Sequence, residues 1–398
     1  MLQMFQVMLF VSLGLLIHSY LIYPGIVALL YFFKLKKSVE QPGSNSLPNL
    51  CCIIPAYNEE KVIASKIQSV LDCDYPGEKL QILVGSDQSS DSTAEIVDQF
   101  VQRDSRIQFF NFQTRRGKPQ VLNDLVQIAL RTRPQDSDLV IVFTDANVML
   151  EYHTLQRLAA TFNNPRIGLC DSRMISVDTL EDNISGSEEH YLQLESQLKY
   201  WEGFLWGCMM GPFGGCYAVR ANLVPILPEN ILVDDFYVSM KVIEQGYQTR
   251  SAPDAMAFEK LPGQLTEEFR RKERISAGNM QNLFYFVHLL THSFPVSFAF
   301  ISHKIIRWTG PVWLILAMIS SLMLSLNNFL AYSWIFLFML VVFFIVPWVD
   351  RELGKAGIHL KPFRRISYFA WMNLALLMGL FKYLGGVRSS IWQPTQRV

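Results

Sequence analysis

Two long stretches without a charged side chain set the first limit on how this 398-residue chain folds. Residues 4–33 contain no Asp, Glu, Lys or Arg, and residues 308–349 contain none either. Because a charged side chain at the bilayer centre costs about 2.5–3.5 kcal/mol on insertion scales, such runs are typical of membrane-spanning helices. The sequence therefore predicts an integral membrane protein, and a mean hydropathy of +0.19 agrees with this prediction.

One predicted spanning helix precedes a more polar central block, and three follow it. The first apolar run is too long for a signal-peptide core and lacks a basic start, so we expect it to remain in the protein. Residues 308–349 fit two helices that meet at SLNNFLAYS, and a last helix is predicted at about 366–385. The apolar segment 283–302 is broken by His and Pro and is expected to lie in the membrane interface. The predicted parts are a spanning helix, a central domain, an interfacial helix, three spanning helices and a tail: 1–37, 45–280, 281–307, 308–385 and 386–398.

Basic segments fix the predicted orientation. KLKK at 34–37, HKIIR at 303–307 and DRELGKAGIHLKPFRR at 350–365 fall on one side of the membrane if residues 308–349 cross it twice. The positive-inside rule makes that side cytoplasmic, and the central domain lies there too. The sequence thus predicts a multi-pass protein of the inner or plasma membrane. Counting the predicted membrane crossings places the C-terminal tail outside the cell, although the tail is basic. The side of the tail therefore stays open, and the alternative is that the last apolar segment is re-entrant.

Charge and cysteine content exclude some classes of function. The chain has 35 basic and 35 acidic side chains, whereas a general nucleic-acid binder would be clearly basic, so no nucleic-acid partner is expected. Its six cysteines form no CxxC pair, and its seven histidines form no HxxxH or HExxH motif. We therefore expect scattered reduced thiols and no metal site built on these motifs.

The central block alternates short apolar runs with stretches of helical spacing. This order predicts parallel βαβ units and an α/β fold, in which ligands bind beyond the carboxyl ends of the strands. The predicted strands are residues 50–57, 80–87, 107–112 and 139–146, and the predicted helices are residues 59–73, 92–102 and 118–131.

Polar residues follow three of the predicted strands. Residues 57–59 follow the first strand, Asp87 ends the second, and Asp145 and Asn147 follow the fourth. Asp and Asn are also common in turns and helix caps, which is the plainer explanation for any one of them. Three strand ends at one edge of a parallel sheet favour a ligand site for a metal ion or a diphosphate.

Seven motifs occur in an order that resembles a known family. They are IIPAYNEE, SDQSSDST, RRGKPQVLN, TDAN, GPFGGCYAVR, VDDF and RRKERISAG. In this order they resemble the family 2 glycosyltransferases of the GT-A fold, and in particular the membrane-embedded synthases of cellulose, hyaluronan and poly-N-acetylglucosamine. The resemblance implies a Rossmann-like, mostly parallel sheet beside spanning helices. It also implies inverting transfer of a sugar from a nucleotide-sugar, expected to be a UDP-sugar, to a growing polysaccharide or a lipid-linked acceptor.

The resemblance assigns expected roles in donor binding. Tyr57 and Glu59 match the positions that hold the uracil and ribose, and an aromatic face stacks a base for about 1–3 kcal/mol. Asp87 matches the carboxylate that recognises the base, and Lys118 matches the lysine near the nucleotide. From its sequence context alone, Lys118 is equally well explained as a solvated lysine at a helix start.

Asp145 and Asn147 occupy the position of the family's DxD motif, which holds a divalent cation and the diphosphate. The resemblance therefore implies Mg²⁺ or Mn²⁺ as cofactor. This chain has DxN, and an amide oxygen is an acceptable but neutral ligand for a hard cation. The departure removes one negative charge from the expected site and leaves its location unchanged.

The motif VDDF matches the family's TED motif. Asp235 then stands at the position of the catalytic base, with Asp234 beside it, whereas two adjacent acids taken alone are more typical of helix caps. The glycine-rich segment before it places Gly214 and Gly215 where the backbone approaches the acceptor closely.

The segment RRKERISAG departs most from the family, which has QxxRW here. Arg274 still matches the arginine that pairs with the diphosphate, and Arg271 replaces the glutamine. Ile275 replaces the tryptophan that packs on the acceptor sugar, so processive synthesis and single addition to a lipid-linked acceptor both remain open. The alternative from another class is a non-catalytic nucleotide-sugar-binding subunit. The expected partners are the donor, the acceptor, the lipid bilayer and, within an export complex, other export subunits.

Overall fold

A computed structural model describes residues 1–35, 46–132, 138–177, 185–259, 265–327 and 330–387. The chain divides into two compact units. The sheet unit comprises Leu30–Thr179, Ser196–Gly263 and Val387–Val398, and the helical unit comprises Met1–Leu29, Leu180–Glu195 and Gln264–Gly386. The predicted central domain extends to residue 280, whereas this division assigns Gln264–Gly386 to the helical unit.

The sheet unit contains one eight-stranded sheet. Its strands are β1 Leu50–Ala56, β2 Leu80–Asp87, β3 Ile107–Phe112, β4 Val140–Thr144, β5 Val148–Leu150, β6 Ile167–Ser176, β7 Cys216–Arg220 and β8 Gln248–Glu259. Their order across the sheet is β3-β2-β1-β4-β7-β6-β8-β5. The four strands predicted from the sequence are β1 to β4.

The first half of the sheet is parallel, as predicted. Strand β1 pairs in parallel with β2 and β4, and β2 pairs in parallel with β3. All seven residues of β1 are buried, because helices cover both faces of a parallel sheet and no strand face is left in water. Each fully buried Val, Leu or Ile contributes roughly 1.5–3 kcal/mol to this core.

The second half of the sheet is mixed. Strand β7 pairs antiparallel with β4 and with β6, and β5 pairs antiparallel with β8, while β6 and β8 are parallel. The predicted mostly parallel α/β sheet is confirmed, and each antiparallel ladder includes at least one strand from β5 onward.

Helices of the sheet unit connect the strands. Three of them were predicted, and most of their first and last residues lie within one or two positions of the predicted ones: Ile63–Leu71, Thr93–Arg103 and Lys118–Thr132. The predicted first helix begins earlier in the sequence than the observed one. Later helices are Thr154–Thr161 and Asp234–Glu244, with short 3₁₀ turns at Gly77–Lys79 and Ala221–Leu223. The helix Ser185–Trp206 runs through the division between the two units.

The helical unit is built from helices, several of them apolar, that are joined in part by π-helical turns. The helices are Leu2–Ile17, Tyr23–Leu35, Leu265–Tyr285, Phe294–Ala299, Ile306–Trp308, Gly310–Ser325, Leu330–Leu340, Val346–Lys355 and Lys361–Leu384. The π-helical turns are His18–Ile22, Phe300–Ile305 and Val341–Ile345, and a 3₁₀ turn covers Val287–Thr291. The second helix in this series ends within the sheet unit, which begins at Leu30.

Within the described ranges, two continuous helices are long and apolar enough to cross a membrane, Leu2–Lys34 and Leu330–Lys355. The pair Phe294–Trp308 and Gly310–Ser325 is bent by 63° and passes the same test only as one broken span or re-entrant loop. The predicted interfacial segment therefore contributes to this bent pair. The predicted last span lies in Lys361–Leu384, which does not pass the test, so the count of four spans stays a prediction.

Lys361–Leu384 packs against Leu265–Tyr285 within the helical unit. The Ser276 hydroxyl donates to the carbonyl oxygen of Leu376 at 2.8 Å, and a Cβ at Gly379 would collide with the Ser276 side chain. Small residues let two helix backbones approach closely, so this contact fixes where the two helices meet.

Candidate functional site

Three strand ends bring the predicted site residues to one edge of the sheet. Strands β1, β2 and β4 are parallel, with Ala56 opposite Ser86 in the ladder, so their carboxyl ends meet at the same edge. Tyr57 follows β1, Asp87 ends β2, and Asp145 follows β4. The edge therefore gathers an aromatic ring and two carboxylates, as the sequence predicted.

Asp87 holds the loop that precedes the helix Lys118–Thr132. Its side chain is fully buried, and its two carboxylate oxygens accept the backbone N–H groups of Arg116 and Gly117, each at 2.8 Å. Charge-assisted bonds of this kind are about twice as strong as neutral ones, so the carboxylate fixes the loop. The structure thus gives Asp87 a backbone-holding contact, and its role toward a nucleotide base remains a prediction.

Lys118 lies between two carboxylates. Its amine is 2.8 Å from Asp145 Oδ1 and 3.6 Å from Asp234 Oδ2. Burial disfavours the charged amine, but the negative charges of Asp145 and Asp234 outweigh burial and raise the pKa of Lys118. A charged ammonium is therefore held at the strand edge, where it suits the binding of an anion such as a diphosphate.

Asp235 lies beside this ammonium group at the start of the helix Asp234–Glu244. Burial and, after it, the negative charge of Asp234 raise the pKa of Asp235 to about 6. Asp235 Oδ1 accepts the backbone N–H of Phe236 at 2.8 Å, which fixes the carboxyl group. A carboxylate with a pKa close to neutral is well matched to accept a proton from a hydroxyl group.

Gly214 is packed directly against Asp235. Gly214 has a φ of +84°, and a Cβ at this position would collide with Asp235 Oδ2. A Cβ at Gly215 would instead collide with the Met174 side chain. Glycine is required at both positions by close approach, and the segment is positioned beside the carboxylate predicted as base.

Tyr57 presents a ring that an arginine already covers. The guanidinium carbon of Arg115 lies 3.6 Å from the centre of the Tyr57 ring. Arginine stacks on aromatic faces by a cation–π interaction, and it stacks on a nucleobase in a similar way. The neighbouring Glu59 donates its backbone N–H to Thr93 Oγ1 at 2.9 Å, which fixes the turn after β1.

Asn147 is tied to the far strand of the sheet. Its side-chain amide donates to Glu259 Oε1 at 3.0 Å, and Val148 lies opposite Glu259 in the β5–β8 ladder. Asp145 and Asn147 both lie in the turn between β4 and β5, where Val148 donates its N–H to the Asp145 carbonyl at 3.1 Å.

Arg271 and Arg274 lie on the helix Leu265–Tyr285 of the helical unit. Arg271 forms an ion pair of 3.6 Å with Glu268, which is nearly buried. The other predicted site residues belong to the sheet unit, so the contact of the two arginines with a diphosphate remains a prediction.

The sequence matches Glycosyl transferase family group 2 over residues 140–347, which is just over half of the chain. The chain belongs to this family. Glycosyl transferase family 2 also matches, over residues 51–214. Together the two matched regions include every predicted site residue of both units.

Named relatives and a solved structure are consistent with this membership in glycosyl transferase family group 2. The chain is 24% identical over 242 residues to "Probable glycosyltransferase YdaM" of Bacillus subtilis, covering 58% of this chain and 56% of that protein. It is 24% identical over 271 residues to poly-beta-1,6-N-acetyl-D-glucosamine synthase of Staphylococcus epidermidis, covering 65% and 62%. The chain thus spans about three-fifths of the length of these two curated relatives.

The mannosyltransferase PcManGT of Pyrobaculum calidifontis, solved with GDP-Man and Mn²⁺, has a TM-score of 0.63 to this chain. The two are 18% identical, and the match covers 95% of this chain and 99% of the other. At this identity the likeness shows the fold alone, and it confirms the predicted GT-A architecture.

In this member of glycosyl transferase family group 2, the oxygen ligands of the β4–β5 turn fit a divalent cation whose coordination is completed by substrate phosphates. No group of three His, Cys, Asp or Glu side chains in the described ranges is arranged to hold a metal ion. Asp145 and Asn147 do offer a carboxylate and an amide oxygen, which are hard ligands, from one turn. Mg²⁺ is usually bound through one or two carboxylates together with substrate phosphates, so these two residues fit that kind of site.

Lys66 is not among the site residues predicted from the sequence of this family member. It is fully buried, and its amine donates to Thr144 Oγ1 at 2.7 Å and to the Val148 carbonyl at 2.5 Å. Lys66 therefore holds both ends of the turn that carries Asp145. The available signal was a lysine on the otherwise apolar face of the helix Ile63–Leu71.

Asp171 and Lys199 were also missed, and both contact Phe213. Asp171 Oδ2 accepts the backbone N–H of Phe213 at 3.1 Å, and the Lys199 amine lies 3.5 Å from the centre of the Phe213 ring. Both residues are almost fully buried, and burial raises the pKa of Asp171 to about 7. Because Phe213 precedes Gly214, these contacts position the glycine that packs on Asp235. Strand β6 and the helix Ser185–Trp206 meet here through tertiary contacts that leave no local signal.

Proposed function

We propose that this protein is an inverting glycosyltransferase that transfers a sugar from a nucleotide-sugar to an acceptor hydroxyl. One observation carries the proposal: a charged lysine and a fixed carboxyl group lie side by side at the carboxyl edge of the sheet. Lys118 contacts Asp145 and Asp234, and the next residue, Asp235, packs on the glycine-rich segment. An inverting transfer needs both an anion-binding group for the leaving diphosphate and a base for the acceptor.

The chemical step is a single displacement. Asp235 accepts the proton of the acceptor hydroxyl as its oxygen attacks the anomeric carbon of the donor. The bond between that carbon and the diphosphate breaks, and the nucleoside diphosphate leaves with the electron pair. Attack from the face opposite the leaving group inverts the configuration at the anomeric carbon. The ammonium group of Lys118 stabilises the negative charge that develops on the diphosphate.

A divalent cation, Mg²⁺ or Mn²⁺, held by Asp145 and Asn147, supplies further positive charge against the diphosphate when it is bound. The oxygen ligands of the β4–β5 turn support this assignment, and so does the Mn²⁺ present with GDP-Man in the Pyrobaculum mannosyltransferase. Asp145, which already pairs with Lys118, would hold the cation together with Asn147.

The nucleotide end of the donor lies over Tyr57 and Glu59. The base stacks against the Tyr57–Arg115 pair, and Asp87 keeps the Arg116–Gly117 backbone in place below it. UDP is the proposed nucleotide because the motifs resemble those of UDP-sugar-dependent synthases. By the same resemblance, Arg271 and Arg274 are proposed to pair with the diphosphate.

The acceptor is a growing polysaccharide or a lipid-linked glycan at the cytoplasmic face of the membrane. The named Staphylococcus relative makes poly-N-acetylglucosamine, which supports a cell-surface glycan as product. The candidate spanning helices Leu2–Lys34 and Leu330–Lys355 support a membrane location. Ile275 in place of the family's tryptophan favours addition of a single sugar, whereas the overall resemblance favours a processive synthase.

The purified full-length protein in nanodiscs tests the proposal. UDP-glucose, UDP-N-acetylglucosamine and GDP-mannose are offered with membrane extract as acceptor, and release of the nucleoside diphosphate and product length are measured. Release that depends on the acceptor and is lost in Asp235→Asn supports the proposal. Tight donor binding by calorimetry without release from any donor overturns it in favour of a non-catalytic binding subunit.

A further inference from the structure

Glu259 lies beside the turn in which Asn147 replaces the expected carboxylate. Glu259 Oε1 accepts the side-chain amide of Asn147 at 3.0 Å. The backbone reinforces this contact, since Glu259 and Val148 are opposite one another in the β5–β8 ladder and Val177 donates its N–H to the Glu259 carbonyl at 2.9 Å. The last residue of β8 is therefore held next to the proposed cation site by both strand and side chain.

The chemistry of the two side chains fixes the orientation of the amide. A carboxylate accepts hydrogen bonds and donates none, so Asn147 turns its NH₂ group toward Glu259. The amide oxygen of Asn147 is its only atom suited to bind a hard cation, and it then points away from Glu259. Glu259 thereby determines which atom of Asn147 is available as a ligand.

The charges around the turn favour a further carboxylate beside Asp145, even though Asp234 also lies 3.6 Å from the Lys118 amine. Two lysines contact this short segment: Lys118 pairs with Asp145 at 2.8 Å, and Lys66 donates to Thr144 and Val148 at its two ends. Asp145 is the one carboxylate inside the segment, and a divalent cation adds two further positive charges. Repulsion between close like charges weakens cation binding unless negative charge offsets it.

From these contacts we infer that Glu259 belongs to the cation site: it replaces, from the neighbouring strand, the carboxylate that Asn147 lacks, and it orients the Asn147 amide. The inference rests on the proposed cation-dependent transfer. It deepens that proposal by naming a positioning residue that the sequence motif does not contain. The carboxylate count of the site is thus the same as that of a DxD turn, with one acid moved across the β5–β8 ladder.

A purely structural role for Glu259 predicts a different effect of its substitution on cation affinity. If the Asn147–Glu259 hydrogen bond only joins two strand ends, its loss lowers stability and leaves cation affinity unchanged. If Glu259 supplies charge and orientation, cation affinity falls, and an aspartate at position 147 restores it. The double substitution separates the two roles because it removes the original hydrogen bond and returns the negative charge.

The experiment measures Mn²⁺ binding to the full-length protein in nanodiscs with UDP present. Free Mn²⁺ is followed by electron paramagnetic resonance for the wild type, Glu259→Gln, Asn147→Asp and the double variant. Glu244→Gln, which loses an ion pair with Lys241 elsewhere in the sheet unit, is the control. Thermal melting and UDP binding without Mn²⁺ are recorded for each protein, so that loss of fold or of nucleotide binding is seen separately.

We expect Glu259→Gln to weaken Mn²⁺ binding by about tenfold or more, in keeping with the 10–100-fold losses caused by removing groups that orient metal ligands. Asn147→Asp with Glu259→Gln regains most of the affinity, and the control variant binds Mn²⁺ as the wild type does. If Glu259→Gln binds Mn²⁺ as tightly as the wild type, the inference is overturned, although the proposed cation dependence still stands. The inference is also overturned if the double variant binds Mn²⁺ as weakly as Glu259→Gln does. A wild type that binds UDP but no Mn²⁺ overturns the inference and the proposed cation together.

Discussion

At the scale of single residues, burial and neighbouring charges give the aspartates of the site different environments. Asp145 is paired with Lys118, whereas Asp235 is packed against Gly214 with a pKa raised to about 6. Two carboxyl groups whose environments differ in this way suit different tasks. Asp145, paired with Lys118, suits the proposed cation site, and Asp235 suits the proposed exchange of a proton.

The base assignment predicts a specific loss of turnover. Asp235→Asn removes the proton acceptor while keeping the shape of the side chain, so kcat should fall by at least about a hundredfold, within the usual range for general-base catalysis. Donor affinity should change no more than a few-fold by calorimetry, because the donor contacts lie elsewhere. Asp234→Asn is the neighbouring control and should cost less. An active Asp235→Asn beside an inactive Asp234→Asn would show that the two roles are exchanged.

The pH profile of kcat should carry an acidic limb near pH 6. Asp235 accepts a proton only when it is ionised, so activity is lost as the pH falls through a pKa of about 6. The groups that act on this carboxyl are Asp234 on its own helix, Lys118, Lys199 and the buried Asp171. The limb is measured from initial rates with saturating donor between pH 5 and 9.

Removing the positive charge of the buried Lys199 side chain should move the acidic limb to higher pH. Lys199 favours the ionised form of Asp235 and lowers its pKa, so Lys199→Met should raise the pKa and shift the acidic limb to higher pH. Lys241→Met is the control, because this lysine pairs with Glu244 on the same helix as Asp235. A limb that stays in place in Lys199→Met, with the melting temperature unchanged, would remove Lys199 from the set of residues that tune the base.

At the scale of elements, the first four strands were predictable and the later, mixed ones were not. Strands β1, β2 and β4 are continuous apolar runs that end in polar residues, so a local pattern marks each of them. The partners of β7 and β8 are set by pairing across long stretches of chain. Glu259 illustrates the limit: it meets Asn147 from 112 positions away, and no local motif announces that contact.

The glycine-rich segment gives a prediction at this scale. Gly214→Ala should combine the cost of a positive φ, of order 1–3 kcal/mol, with displacement of the base. Gly246 is a matched control, since it has a φ of +83° but no atom lies within 4 Å of the position where its Cβ would be. Both variants should lose similar stability by thermal melting, and only Gly214→Ala should lose turnover, by about tenfold or more, as catalytic groups move out of position. Equal turnover in the two variants would contradict the packing argument.

At the scale of the whole molecule, orientation decides which nucleotide-sugars can reach the proposed site. The three basic segments beside the apolar runs predict that the sheet unit faces the cytoplasm. The six native cysteines are all buried, so a single exposed cysteine gives a clean signal. Asp98→Cys, on the exposed side of the helix Thr93–Arg103, should resist an impermeant maleimide in intact cells and react after permeabilisation. If the cysteine reacts in intact cells, the sheet unit faces outward and the predicted orientation is wrong. The proposed site would then have no access to cytosolic nucleotide-sugars.

The number of membrane crossings is the part of the molecule least accessible from hydropathy alone. The run 308–349 begins near a bend of 63° between Phe294–Trp308 and Gly310–Ser325, and composition does not distinguish a broken span from a re-entrant loop. Helix Lys361–Leu384 has basic residues near both ends and packs on Leu265–Tyr285 through Ser276 and Gly379. Its position thus follows from tertiary packing as much as from its apolar content.

The loop fixed by Asp87 has an evolutionary consequence. Arg115, which covers the Tyr57 ring, and Lys118, which pairs with Asp145, are separated by two residues whose N–H groups both bind the Asp87 carboxylate. With the roles proposed above, recognition of the base and stabilisation of the departing diphosphate are carried by one short stretch of backbone. A mutation that reshapes this stretch to admit a different nucleotide also shifts the ammonium group, so donor choice and reaction rate are inherited together. A lineage that changes its donor is then expected to do so from the Tyr57 side of the base.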